Sequence, residues 1–272
     1  MRLAVSNIAW DVSEDQTVAQ LLSRYRVDAI DIAPGKYFPE PHKANKEQIA
    51  KVRDWWKKRG IDITGMQALL FGTTGLNVFG SAEAQKSLLD HLSEICRIGM
   101  ELGATRLVFG SPKNRDRSGL ADSEAMDIAT LFFRQLGDIA QQYGVVINLE
   151  PNPSCYGANF MTTSSETDLV VRTINHPAIR MQFDTGALTI NEESAEAVLA
   201  QSASLIGHVH ASEPNLVPLG DGGTNHSAAY GALQKYLPNH LVTIEMVATS
   251  DEAHPLSIER ALSAAVKHYQ TQ

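Results

Sequence analysis

Short apolar runs alternate with longer amphipathic ones from end to end of this chain, and that rhythm limits its fold more than any other feature. Strand candidates fall at residues 2–6, 29–33, 61–67, 106–110, 145–150, 179–184, 205–210 and 241–246. A helical pattern follows each: one through about residue 25, with Ser13 or Asp15 as cap, then 46–59, 82–102, 123–143, 166–174, 192–201, 228–236 and 255–269. Gly60, Gly103 and Gly144 stand where three of these helices should stop, and Pro255 suits the first turn of the last. Repeated strand–helix units imply a parallel sheet, and about eight of them imply closure into a (β/α)8 TIM barrel. The 272 residues suit one such domain over residues 1–272. An open doubly wound sheet would instead need a glycine-rich phosphate turn after the first strand. The turn there reads SNIAWDVSED, without glycine, and FGTTGLNVFG is too loose for any phosphate-loop spacing.

Composition narrows the class of partner. A net charge of −8 disfavours nucleic acid and anionic membrane. The two cysteines, Cys96 and Cys155, are too few for a disulfide framework and form no C-x-x-C pair, which points to a reduced, cytoplasmic setting. The opening segment MRLAVSNIAW lacks the apolar core of a signal peptide, and no stretch has the roughly 20 apolar residues of a membrane helix.

In a TIM barrel, active sites sit at the C-terminal strand ends. The fifth strand candidate ends at Glu150, the sixth at Asp184 and the seventh at His210, and the eighth carries Glu245. Four neighbouring strands would thus deliver four metal-competent groups to one rim. A carboxylate at the end of a buried strand is costly unless it is paired, hydrogen-bonded or metal-bound, and three of them together would repel. One divalent cation removes that conflict. Oxygen-rich ligation with one nitrogen favours Mn²⁺ or Mg²⁺, with Co²⁺, Zn²⁺ and Fe²⁺ as alternatives.

Outer positions are read more loosely. His208 lies two residues before His210, on the same strand face, either to contact substrate, to hydrogen-bond a metal-binding carboxylate, or to serve as a satisfied interior histidine. Gln182 stands in the same relation to Asp184 and reads as a packed barrel amide. Glu213 could bind a substrate hydroxyl or lie solvated in its loop. Asn7 and Trp10 follow the first strand, with Trp10 a candidate wall for the apolar face of a sugar. Lys36, Lys113 and Arg115 are candidates to meet a carboxylate or phosphate, or else ordinary solvated loop cations. His226 sits in the rim-loop sequence PLGDGGTNH. Trp55 and Trp56 mark either an interface of a dimer or tetramer, or a core residue and its exposed neighbour.

The motifs INLEPNP, MQFDTGAL, HVHASE and TIEMV resemble the metal-binding strand ends of the xylose isomerase-like superfamily. The likeness is to its sugar isomerase/epimerase type, which includes ketose 3-epimerases and hydroxypyruvate isomerases. It implies that Glu150, Asp184, His210 and Glu245 bind one divalent metal, and that Glu150 and Glu245 also exchange protons with a substrate carbon. The chain departs from the epimerase pattern in three places. It has Ala187 where a histidine usually follows the Asp, and the loop SEPNLVPLG lacks the usual arginine. Near the second strand end it offers Asp31 and Lys36 rather than a glutamate.

The expected chemistry is metal-assisted proton transfer on a small sugar or hydroxy-carbonyl substrate, through an enediolate that the ion stabilises. Return of the proton to the same carbon gives an epimer, and return to the neighbouring carbon gives an isomer. Three rivals use related features: a metal-dependent polyol dehydratase, a non-catalytic sugar-binding barrel, and a hydrolase like the apurinic-site endonucleases. The last needs extra metal ligands on strands two to four, where DIAPG, TGMQA and VFGSP carry no histidine.

Overall fold

Nearly every strand residue is buried, as a parallel sheet covered on both faces requires. The computed structural model describes residues 1–270. Eight strands pair in parallel and in sequence order into a closed ring: β1 (Leu3–Ser6), β2 (Ala29–Ile32), β3 (Asp62–Met66), β4 (Arg106–Phe109), β5 (Val146–Leu149), β6 (Ile179–Asp184), β7 (Ile206–Ser212) and β8 (Val242–Glu245). One main helix follows each strand: α1 (Asp15–Arg24), α2 (Lys46–Lys57), α3 (Ala82–Leu102), α4 (Asp122–Gln142), α5 (Ser164–Ile174), α6 (Ala195–Ser202), α7 (His226–Tyr236) and α8 (His254–Tyr269). The expected (β/α)8 barrel is therefore the observed one. No helix among the described residues is long and apolar enough to cross a membrane.

The differences from the sequence reading are local and have local causes. The backbone amide of Asp11 donates to Glu14, so α1 is entered through Asp11 and Glu14 rather than through a Ser13 cap. Helix α6 starts at Ala195 and not at residue 192, because Glu192 has a left-handed φ of 54° and Ser194 supplies the cap. Two short helices, Pro34–Tyr37 and Thr185–Ile190, lie in loops at the C-terminal rim, where the sequence reading had none. The second has Asp184 as its cap.

Of the tryptophan pair, Trp56 is the core member. It is fully buried, sits 6.4 Å from the Trp10 ring in an edge-on arrangement, and donates from Nε1 to the Tyr37 hydroxyl. Trp55 is half-buried beneath the Arg59 guanidinium, 3.5 Å from the ring centre. Trp56→Ala should therefore cost about 3–5 kcal/mol in denaturant unfolding, whereas Leu131→Ala on the exposed face of α4 should stay within about 0.5 kcal/mol. Equal costs would contradict this division of core and surface.

Candidate metal centre

Strand register brings the four expected ligands together. Asp184 on β6 lies directly opposite His210 on β7, and Ser212 on β7 lies opposite Glu245 on β8. Phe109 pairs with Leu149, so Glu150 is the first residue past β5, its amide bonded to the Phe109 carbonyl. Because side chains alternate along a strand, His208, His210 and Ser212 share the inner face of β7, as Gln182 and Asp184 share that of β6. One ligand atom from each of Glu150, Asp184, His210 and Glu245 lies within 4.8 Å of the others.

His210 is the hub. Its Nδ1 is 3.1 Å from Glu245 Oε2 and 3.4 Å from Glu150 Oε1. Asp184 Oδ2 accepts from the Ser212 hydroxyl and Oδ1 from the Ala187 amide, both at 2.6 Å. The outer oxygens of the two glutamates are also engaged. Gln67 Nε2 donates to Glu245 Oε1 at 2.6 Å, and Asn152 Nδ2 to Glu150 Oε2 at 3.2 Å. Gly110 makes room for this: a Cβ there would stand 2.1 Å from Glu150 Oε2. Glu150 Oε1 is buried without a hydrogen-bond partner among the described residues.

The electrostatics of the cluster favour positive charge. Burial, then Glu245 and Glu150, push the Asp184 carboxyl up to about 7, against the opposing pull of His210 and Ser212. Burial weakens the His210 imidazolium, but Glu245 and Glu150 more than reverse this and raise its pKa well above the ordinary value. Without a cation, the cluster therefore holds protons. Three oxygen donors and one nitrogen, at mutual distances a single ion can span, fit a divalent metal.

Beneath this layer lies a polar floor. Asp31 accepts from His208 Nε2 (2.7 Å), Thr243 (2.8 Å) and Thr64 (2.9 Å). Burial opposes its charge, but His208 and these hydrogen bonds hold the carboxyl down to about 2. Burial lowers the His208 pKa despite the neighbouring Asp31. Asp31, His208 and His210 could also hold an ion by spacing. Because His208 Nε2 is committed to Asp31 and neither residue lines the cleft, they are better described as a hydrogen-bonded support. Gln182 is fully buried, opposite His208, with both amide atoms unpartnered among the described residues.

The outer candidates are placed differently from their sequence readings. His208 is 1% exposed and bonded to Asp31, which gives it no access to the cleft. Glu213 is 1% exposed and is neither solvated nor at the cleft. It accepts from the Gly220 and Thr224 amides and from His226, and so folds the rim loop onto itself. Burial works against its charge, yet these bonds hold its carboxyl down to about 2. His226 continues the chain of contacts to the Tyr269 hydroxyl on α8. Asn7 is buried and accepts from the Ala33 amide. Trp10 is buried with its indole N–H on Asp15, so it forms core rather than a pocket wall. Lys36 donates to the carbonyls of Asn7 and Trp10 and ties the β1 loop to the short helix 34–37.

Lys113 does line the cleft, but Arg115 is fully buried. Its Nη1 donates to the Glu150 carbonyl at 2.7 Å, and burial lowers its pKa to about 10. Gln67 and Asn152 carry little signal in the sequence alone. The rim rule applied to β3 would have flagged Gln67, and the two prolines around Asn152 were the only local hint of the other.

Above the ligands opens a cleft of about 560 Å³, lined by Gln67, Lys113, Asn114, Glu150, Asn152, Tyr156 and Glu245 among others. A contiguous lobe of about 400 Å³ reaches Asp184 and Ala187.

The sequence model of the xylose isomerase-like TIM barrel matches residues 19–269. No curated protein matches the sequence. Among solved structures, the D-psicose 3-epimerase of Clostridium cellulolyticum H10, determined with D-tagatose, is similar at TM-score 0.82 and 17% identity, over 99% of both chains. The 3-keto-D-glucoside 4-epimerase YcjR of E. coli gives 0.79 at 17% identity, over 97% of this chain and 98% of that one. An IolI protein with a bound zinc atom gives 0.77 at 17%, over 99% and 98%. At such identities the likeness speaks for the fold.

Metal binding should release protons, because His210 and Asp184 hold them in the metal-free cluster. The sign follows from raised pKa values: below about pH 7 both sites are largely protonated, and an entering cation must displace those protons. Mn²⁺ affinity should therefore rise from pH 6 to 8, by about tenfold per pH unit for each proton released. Calorimetry in buffers of different ionisation enthalpy counts them. Affinity flat in pH, or falling as pH rises, would contradict the assignment.

Proposed function

The chain belongs to the xylose isomerase-like TIM barrel family, and from that premise we propose that it is a divalent-metal-dependent isomerase or epimerase of small sugars or hydroxy-carbonyl compounds. The observation that carries this reading is the meeting of Glu150, Asp184, His210 and Glu245 at the floor of an open cleft. These four residues would hold one ion, and the oxygen-rich set favours Mn²⁺. When bound, such an ion supplies Lewis acidity that polarises a carbonyl and acidifies the adjacent C–H.

The remaining work falls to side chains of this chain. Glu150 and Glu245 come from strands three places apart in the ring, and both line the cleft. One takes a proton from carbon and the other delivers one, as general base and general acid. Delivery to the opposite face of the same carbon inverts it, and delivery to the neighbouring carbon moves the carbonyl. Asp184 is hydrogen-bonded through both oxygens, which suits a ligand rather than a base. His208 and Asp31 brace the floor of the barrel beneath.

A hydrolase of the multi-metal kind is less well supported. Strands β2 to β4 bring Ala33, Gln67 and Gly110 to the rim, none of them a carboxylate or an imidazole. The kinship of the solved epimerase structures supports a carbohydrate substrate. The cleft sets amides, hydroxyls and one lysine among apolar residues such as Ile8, Leu69, Leu70, Phe71 and Leu216, a mixture that suits the hydroxyls and C–H faces of a small sugar.

Incubation of the Mn²⁺-loaded protein in D₂O with D-fructose, D-tagatose, D-psicose or hydroxypyruvate should wash out a carbon-bound proton signal in the NMR spectrum of at least one of them. Glu150→Gln and Glu245→Gln should each slow that exchange by about 10²–10⁴-fold, and chelation should stop it. Undiminished exchange in both variants would refute their role.

A further inference from the structure

We propose that Gln67 and Asn152 form a pair of positioning amides that assign separate tasks to the two oxygens of each active-site glutamate. The inference rests on the metal-centre reading above. In each glutamate, one oxygen faces His210 Nδ1: Glu245 Oε2 at 3.1 Å and Glu150 Oε1 at 3.4 Å. The other takes a side-chain amide donor: Glu245 Oε1 from Gln67 at 2.6 Å and Glu150 Oε2 from Asn152 at 3.2 Å. The arrangement is the same on both sides although the amides come from different strands. The His210-facing oxygens are those an ion at the hub would take. The amide-held oxygens lie beside residues that line the cleft, and these are the ones left to handle substrate protons.

Both amides are themselves fixed. Gln67 is 3% exposed, and its backbone amide donates to the Ile32 carbonyl. Its Oε1 is buried with no partner among the described residues, so the side-chain amide's one hydrogen bond is the one it donates to Glu245. Asn152 stands between Pro151 and Pro153, whose rings restrict the backbone on either side. Its own amide donates to the Met161 carbonyl at 2.9 Å. Gly110 leaves the space into which the Glu150–Asn152 pair fits.

An amide suits this task. It donates a directional hydrogen bond, yet carries no charge that would pair permanently with the carboxylate and weaken it as a base. It also prevents a glutamate from turning both oxygens onto the ion, which carboxylates do readily when nothing restrains them.

The test follows from that last point. Gln67→Met keeps the length of the side chain and removes the donor, and Asn152→Leu does the same for Glu150. Each frees one carboxylate oxygen to swing onto the metal. Calorimetry with Mn²⁺ alone should show binding tighter by about threefold or more than in the wild type. Deuterium exchange into whichever of D-fructose, D-tagatose and D-psicose the wild type turns over fastest should lose kcat by about 100-fold, with KM little changed. Tighter metal and slower turnover move in opposite senses, which damaged packing would not produce. The two variants sit on different loops, so if one fails to fold the other decides. Mn²⁺ affinity that is unchanged or weakened in the folded variants overturns the inference. A wild type that binds Mn²⁺ but exchanges no sugar removes the proposed activity, while the affinity comparison still decides the amides. A wild type that binds no Mn²⁺ overturns both.

Discussion

Mutual repulsion among carboxylates is the constraint around which this molecule is organised. Glu150, Asp184 and Glu245 leave three strands of one ring and aim at one point, where His210 meets them. Like charges so close in a buried setting cannot all stay ionised unless something positive joins them. The metal-free protein answers with protons, raising the affinity of His210 and Asp184 for them. A divalent ion answers the same need with more charge and no loss of the carboxylates' acceptor capacity. If the proposed ion binds, that repulsion is the source of its affinity.

Around that point the barrel spends an unusual share of its interior on polar groups. TIM-barrel interiors are generally filled by branched apolar side chains. Here Asp31, Thr64, Gln182, His208 and Thr243 occupy buried positions on the strands. Asp31 anchors His208 and both threonine hydroxyls hold Asp31, so the floor beneath His210 is locked by hydrogen bonds rather than by packing alone. Arg115 braces the carbonyl of Glu150, and Ser212 braces Asp184. Glu213 gathers the loop after β7 around its own carboxylate, and His226 links it to α8. These supports hold ligands from separate strands at fixed separations, which a flexible cluster of acids would not maintain.

What could be read from the sequence was what depends on neighbours along the chain. The strand–helix rhythm is local, and so is the position of Glu150, Asp184, His210 and Glu245 at strand ends; parallel pairing in order then makes those ends adjacent. What escaped depends on neighbours in space. Arg115 sits in the charged stretch PKNRDRSG and reads as solvated, yet the Glu150 carbonyl draws it inside. Glu213 looks like a loop acid until the amides of Gly220 and Thr224 close over it. Trp10 and Lys36 stand at the expected rim, but the loop after β1 folds back, so one joins the core and the other caps backbone carbonyls. Gln67 and Asn152 acquire meaning only once the two glutamates have been brought within reach of them.

All of this follows from one assertion, that a single cation belongs between the four side chains. Anomalous diffraction from a crystal of the Mn²⁺-loaded protein, collected at the manganese edge, tests it directly. The account predicts one strong peak bounded by Glu150, Asp184, His210 and Glu245, with Asp31 and His208 outside its reach. A crystal grown at saturating Mn²⁺ with no peak there, or with its only peak elsewhere, would contradict it.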